Sequence, residues 1–479
     1  MFGWNHGGAI PMFENIIAQP ATTQLKTDIL ARRLAPSMLF FGPLASGKGS
    51  AAIELARSLS CEAGQAQWNC ACPACARHRL LLHPDLVMIG PRAFSAEIAA
   101  SRVAFLRDPA SAAGRSLFIR SLRKLLARFS PAVWEYESKS GRVNPLSLLQ
   151  SLEEDLDAFE ALSAGTSAPE KTAALEKLTE SLAKNAFKLE DDCMSETIPI
   201  AQLRRAAWWS RLSPSGKQKT LIIENADRMK DEARNSLLKL LEEPPESLNI
   251  VLTVARREAL LATILSRLRP YRFLARGANE EREIIRRIFR DSSTVETEEE
   301  TSESLKSTKF GLVGSYLDSF LPQSSEKLLP LAAFFVAAVA RSAAISAKSR
   351  SYVQNRADIS PALKALGGYC APIAEAAEFE RAADAKGVIA ELLSRSGNFE
   401  GRSFPRFLAL SLDLVSWSLN QSPSLDGTAA ASFIACCDIW RKRLGEAQSA
   451  YGVWNQRPEL ALESLFNKLR EEMAQTGIS

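Results

Sequence analysis

The chain has 479 residues, 46% of them hydrophobic and 24% charged, which is long and apolar enough for about two to four domains of a soluble globular protein. A formal charge of +4 is small for this length, so composition permits an anionic partner without arguing for one. The longest apolar run, Leu328 to Ala340, contains Pro330 and is too short to cross a bilayer, and Met1 to Pro11 is Gly-rich with no apolar core, so neither a membrane span nor a secretory leader is expected.

In chain order, structure is expected to begin near Met12 with a helical entry. Ser37 to Phe41 is a short apolar run suited to a buried parallel strand, and Ser50 to Ser60 has helical spacing at Ile53, Leu55, Ala56 and Leu59. Between them lies Gly42-Pro-Leu-Ala-Ser-Gly47-Lys48-Gly49-Ser50, close to the phosphate-binding pattern GxxxxGK[ST]. In that pattern glycines let backbone N–H groups curl around phosphates, the lysine reaches the outer phosphates, and the next hydroxyl binds Mg²⁺. Gly42, Gly47 and Lys48 are in register, but Gly49 takes the hydroxyl position. Ser50 offers its OH one residue late, turned by roughly 100° on a starting helix.

Eight cysteines are present, four of them in Cys61-x8-Cys70-x-Cys72-x2-Cys75. Such crowding points to a structural Zn²⁺ site in a reducing cytoplasm rather than to disulfides. The Cys70-Ala71-Cys72 pair is tighter than the usual knuckle, and His78 stands as a substitute for one of the two. Asp85 to Ile89 reads as a second buried strand. From about Ser95 to Asp192 the pattern is helical, with a basic amphipathic stretch over Leu117 to Phe129, an acidic one over Leu146 to Leu162, and a third helix over Ala168 to Phe187. The basic stretch, with Arg115, Arg120, Arg123, Lys124 and Arg128, fits either contact with nucleic acid or packing on the acidic helix.

Strands are expected again at Lys219 to Ile223 and Asn249 to Val254, flanking a helix from Asp231 to Glu243 that Pro244-Pro245 halts. The first of these ends in Glu224-Asn225, where phosphate-loop ATPases normally carry an Asp that helps hold Mg²⁺ and then a Glu that orients water. Glu224 keeps a carboxylate on a longer stem, whereas the Asn225 amide cannot act as a base. Beyond Gly277 the chain reads as helical: Asn279 to Asp291, an acidic loop over Ser292 to Ser304, then Leu328 to Ser346, Ser360 to Leu366, Ala374 to Ser396, Phe404 to Leu419, Ala429 to Arg443 and Pro458 to Thr476. Cys370, Cys436 and Cys437 read as small buried residues.

Several stretches together resemble the clamp-loader subunits of bacterial DNA polymerase III, most closely the delta-prime type. They are Phe13 to Gln19, Gly42 to Ser50, the cysteine module, His83-Pro-Asp85, Ile198 to Arg204, Ala233 to Pro245 with its LLK-x-LEEPP text, and Thr263 to Arg267. The resemblance implies an α/β AAA+ module over 12–277, carrying a zinc module (61–78) and a helical insertion (about 95–192), followed by an all-α part: a helical lid (278–325) and a helical collar (326–479). It implies that Arg267, in Ser266-Arg267-Leu268, is the arginine finger for a neighbour's nucleotide, as a permanently charged fork suits. A polar sensor residue would fall near Ala255, which has none. ATP held but not hydrolysed, gamma/tau and delta subunits, the sliding clamp and primed DNA follow as ligand and partners, in the cytoplasm and with no membrane. The catalytic gamma/tau subunit is the alternative, and a nucleic-acid module built on Arg115 to Arg128 a second. The insertion is expected to have no counterpart in the family.

Overall fold

Strands form where β-branched and aromatic residues cluster. β1 (Ser37–Phe41), β2 (Leu86–Ile89), β3 (Lys219–Ile223), β4 (Leu248–Val254) and β5 (Arg269–Arg272) make one parallel sheet in the order β2-β3-β4-β1-β5. Every residue of β3 and β4 is buried, as expected for strands covered by helices on both faces. Alternation sends Leu39 of β1 to one core, with Leu221, Leu237 and Leu252, and Met38 and Phe40 to the other, with Leu55, Ile222 and Val251. The computed structural model describes residues 12–64, 66–134, 145–164, 169–292, 312–354, 360–379, 384–399, 403–420, 427–454 and 456–475. The chain divides into two compact units, Met1–Phe320 and Leu321–Ser479.

β5 is a strand that the sequence does not announce. Its residues Arg-Pro-Tyr-Arg bury only Tyr271, and they become a strand because β1 offers them a free edge. An edge is also where a proline such as Pro270 is tolerated.

The helices of the first unit are α1 (Pro20–Leu30), α2 (Lys48–Leu59), α3 (Pro73–Arg79), α4 (Ser95–Arg107), α5 (Ala112–Leu126, prolonged by a 3-10 turn over Ala127–Phe129), α6 (Leu146–Ser163), α7 (Pro169–Cys193), α8 (Ile200–Ser210), α9 (Asp231–Glu242), α10 (Ala262–Leu265), α11 (Ala278–Ile288) and α12 (312–319). Helices α4 to α7 enclose a core of their own. Phe159 lies edge-on to Phe105 and Phe118, with ring centroids 5.0 and 5.4 Å apart. Glu190 of α7 accepts from the Phe94 and Ser95 amides, capping the start of α4. Helices α11 and α12 pack on Ala100 and Ala104 of α4 through Ile284, Phe289 and Tyr316. The acidic stretch beyond Ser292 lies outside the described residues.

The basic helix α5 turns its cations inward, so the nucleic-acid reading of Arg115 to Arg128 is overturned. Arg115 donates to Ser163 O, Arg120 to Arg79 O, Arg123 to Leu80 O and Glu160, Lys124 to Glu97, and Arg128 to Ile89 O and Glu224. Only Arg123 meets the acidic helix α6 in a salt bridge, through Glu160. Arg115 reaches the last carbonyl of α6, and the others reach the end of α3, the start of α4 and the sheet, because the apolar face alone does not fix where long side chains end.

The second unit is α13 (Ser325–Gln354), α14 (Ser360–Glu375), α15 (Ala385–Ser396), α16 (Ser403–Asn420), α17 (Gly427–Trp454) and α18 (Pro458–Gln475). Helix α13 runs past the expected Leu328 to Ser346, and its segment Ser325–Lys348 is long and apolar enough to cross a membrane by length and composition. Of its most apolar part 72% is buried in its own unit, where Phe335 meets Trp440, Phe407 and Phe466, so it serves as a core helix. The helix expected over Ala374 to Ser396 is two helices: Glu378 adopts a left-handed φ of 59° between them. Cys370, Cys436 and Cys437 are buried, and burial pushes their thiols up to about 12, 12 and 11.

Phe159→Ala should destabilise the α4–α7 core by about 3–5 kcal/mol. Denaturant unfolding followed by tryptophan fluorescence measures it, and a loss under about 1 kcal/mol would contradict a packed core there.

Candidate functional site

Chain leaves the sheet at Phe41, loops through Gly42 to Gly47 and enters α2 at Lys48. Gly47 sits at φ 90°, a left-handed conformation that side chains resist, and it starts α2 with no side-chain cap. The lysine is folded onto its own loop. Its Nζ donates to Gly42 O at 2.7 Å, Pro43 O at 2.5 Å and Ser46 Oγ at 3.3 Å. Arg276, at the hinge before α11, lies across the same loop, donating to Ala45 O at 2.6 Å and Ile17 O at 3.0 Å. A Cβ on Gly47 would stand 2.8 Å from Arg276 Nη2, so the arginine takes the space that glycine leaves. Burial, with Arg276 and Arg92 nearby, lowers the Lys48 ammonium to about 8 against the opposing pull of Glu224.

Glu224 and Asn225 follow β3 and face the start of α2. The Glu224 carboxylate is bound on both oxygens: Oε2 by Arg128, and Oε1 by Arg92 Nη1 at 3.4 Å. Arg92 also pairs with Glu97 at 2.5 Å, and Lys124 binds the other Glu97 oxygen. Burial works against the charged form of Glu224, but Arg128, Arg92 and Lys124 outweigh it and hold the carboxyl below its ordinary range. The same contest leaves Glu97 at about 2, with Lys124 and Arg92 overcoming burial. Gly49 lies directly against this cluster. A Cβ there would collide with Glu224 Oε1 and sit 3.6 Å from Arg92 Nη1. The missing hydroxyl and the lengthened carboxylate are therefore one feature: the longer stem brings the carboxylate into the space a Ser or Thr would need.

The other sequence-derived positions are placed as follows. Ser50 is exposed on α2. Asn225, at a left-handed φ of 51°, spends its amide on Pro91 O at 2.6 Å. Ala255 is exposed, and the nearest hydroxyl on β4, Thr253 Oγ1, accepts from the Asn225 amide at 3.3 Å. Arg267, just after α10, is exposed, bonded to Thr263 O at 2.8 Å and salt-bridged to Glu242 at 2.9 Å. That pair is a surface one, weak enough to be exchanged for a stronger anion. Arg92, Glu97 and Arg276 are not marked in the sequence, and Arg128 is marked only as part of the basic helix, not as a partner of Glu224. No local pattern joins them to it, since Arg92 and Arg128 lie 132 and 96 residues from Glu224.

The four cysteines converge. The Sγ atoms of Cys61, Cys70, Cys72 and Cys75 all lie within 4.8 Å of one another. Cys61 and Cys70 are 3.8 Å apart, which matches the edge of about 3.8 Å expected of a tetrahedron with metal–sulfur bonds of about 2.3 Å. Donors surround the sulfurs: the Cys75 amide reaches Cys72 Sγ at 3.5 Å, and Arg57 Nη1 reaches Cys75 Sγ at 3.1 Å. Burial raises the Cys72 thiol, yet hydrogen bonds at Cys75 and Glu62 bring it down to about 6. Burial pushes the neighbouring Cys75 thiol the other way, against the pull of Arg57, and the four sulfurs together could hold a metal ion. His78 is not part of the set. Its ring is buried and stacked on His83, with centroids 4.1 Å apart. Arg57 fixes the module to α2 by spending its donors on Glu54, Ala66 O, Gln67 O and Cys75.

The family model described as DNA polymerase III, delta subunit, matches residues 17–135 and 165–276. Over those residues, a little under half of the chain, it matches the DNA polymerase III clamp-loader family. Within the expected insertion, 136–164, which contains α6, falls outside the match. A crystal structure titled as a DNA polymerase III gamma subunit-related protein from Thermotoga maritima shares 18% identity, covering 62% of this chain and 90% of that one, with a TM-score of 0.26. No curated protein sequence matches. As members of the family, other clamp-loader subunits are its partners.

Gly49→Ser should destabilise the first unit by about 1–3 kcal/mol through overpacking against Glu224. Adding Glu224→Asp, one methylene shorter, should recover most of that loss, giving a coupling above about 0.5 kcal/mol in a double-mutant cycle read by denaturant unfolding. Additive losses would mean that the two residues do not compete for one space.

Proposed function

We propose that this chain is the delta-prime type of clamp-loader subunit, which completes an ATP-driven ring without hydrolysing ATP itself. The observation that carries the reading is the sequestration of Glu224. A carboxylate bound on both oxygens by arginines has little left to offer a metal, and Asn225 and Ala255 supply neither a base nor a sensor. Loop Gly42 to Ser50, with Gly47, Lys48 and Gly49, then holds a nucleotide as a fixed scaffold. Arg267, exposed and only loosely paired, is the finger given to a neighbour's ATP site, where a guanidinium stabilises charge developing on the γ-phosphate.

In this reading 12–277 is the AAA+ module, 278–325 the lid and 326–479 the collar that joins the ring. Gamma/tau and delta subunits flank it, and the assembly places the sliding clamp on primed DNA in the cytoplasm. ATP at the adjacent site favours the closed ring because it contacts Arg267 only there. Cys61, Cys70, Cys72 and Cys75 hold a structural Zn²⁺, which ties the loop after α2 into one piece.

Purified chain alone should show no steady-state ATP hydrolysis, whereas hydrolysis abolished by Lys48→Ala would instead identify a catalytic gamma/tau subunit. In the reconstituted complex Arg267→Ala should slow hydrolysis at the adjacent site by about 10³-fold or more, read as a fall in DNA-stimulated ATPase, while assembly on a sizing column is unchanged. Unchanged ATPase would sink the finger. Metal analysis of protein purified under reducing conditions should find about one Zn²⁺ per chain, and less in Cys72→Ser. A metal-free wild type would refute the zinc site.

A further inference from the structure

In a hydrolytic phosphate loop the hydroxyl after the lysine and the carboxylate of a neighbouring strand hold one divalent cation, which neutralises the outer phosphates. In this chain that small volume is filled from within. The place of a side chain at Gly49 is taken by Glu224 Oε1, with Arg92 Nη1 3.6 Å from the same point. Arg92 Nη1 and Glu224 Oε1 are 3.4 Å apart, and Arg92 is anchored at its other arm by Glu97 at 2.5 Å. Arg128 closes the second Glu224 oxygen. The guanidinium of Arg92 thus stands beside the start of α2 in the company of the very carboxylate that would have held the metal.

Two more cations complete the setting. Lys48 and Arg276 donate only to uncharged oxygens of the loop and of Ile17, with no carboxylate in hydrogen-bond reach among the described residues. Glu224 pulls on Lys48, and Glu281 and Glu280 on Arg276, only through space.

We propose that Arg92 takes the place of the divalent cation, so that the phosphates of a nucleotide bind this loop without Mg²⁺. The inference rests on the reading of the loop as a nucleotide holder. A guanidinium is permanently charged and aims paired N–H donors at phosphate oxygens, so it supplies the attraction of the ion. Unlike a metal it has no bound water to activate or orient, which fits a site that holds without hydrolysing.

The full chain is titrated with ATP by calorimetry, once in buffer freed of Mg²⁺ with a chelating resin and once with Mg²⁺ added. A soluble chelator is avoided because it would compete for the cysteine site. The expected result is a Kd that differs less than about threefold between the two buffers, a gap well under the 1.4 kcal/mol of a tenfold change. Arg92→Gln, at a partly exposed position, should weaken binding by about tenfold or more in both. The double variant Gly49→Ser with Glu224→Asp should make binding respond to Mg²⁺. Wild-type binding that requires Mg²⁺, or Arg92→Gln with unchanged Kd, overturns the proposal while leaving the nucleotide-holding reading standing. No binding in either buffer overturns that reading itself, and the proposal with it.

Discussion

Glu224 is a carboxylate in a place that water scarcely reaches, and it keeps its charge because Arg128 and Arg92 close on it from two directions. A buried ion pair contributes little net stability, since desolvation offsets most of its attraction, but removing one partner strands the other at a cost of about 3–5 kcal/mol. The arrangement is therefore locked. β3 delivers the carboxylate, the turn after α5 delivers Arg128, the segment after β2 delivers Arg92, and none can shift without uncovering a charge. α4 joins the lock through Glu97, and α5 again through Lys124.

That lock explains why the α4–α7 region folds against the sheet rather than away from it. Its apolar core would close by itself, with Phe159 between Phe105 and Phe118. What orients it is the row of cations on α5, which reaches the carbonyls ending α3 at one end and Glu224 at the other. The cysteine module and the phosphate loop are consequently held by a single helix on one side and by α2 on the other, where Lys48 opens the helix and Arg57 grips the module near its end. A site that must move little between states is well served by such bracing.

Two of the departures from the hydrolytic pattern also share one cause. Lengthening the strand-end carboxylate by a methylene fills the room beside α2, and a side chain at position 49 would then have to displace it. Arg267 stays exposed in its surface pair with Glu242, as the role proposed for it at a neighbour's site asks.

The sequence by itself determined whatever local patterns encode. Ser37 to Phe41, Lys219 to Ile223 and the helix stopped by Pro244-Pro245 are legible because apolar runs and prolines act on the chain next to them. Gly42, Gly47 and Lys48 and the four cysteines are legible because spacing marks them, Glu224-Asn225 because they end an apolar strand, and Arg267 only through the resemblance to clamp-loader subunits. Only the tertiary structure decided that β5 is a strand, that the basic helix faces inward, that His78 stacks on His83 instead of joining the cysteines, and that Arg92, Arg128 and Arg276 belong to the loop. Those outcomes depend on which distant groups share a low-dielectric space. Arg128 has an ordinary place on an amphipathic helix until the fold sets Glu224 before it, and then the cost of an unpaired buried charge makes that carboxylate its counter-ion.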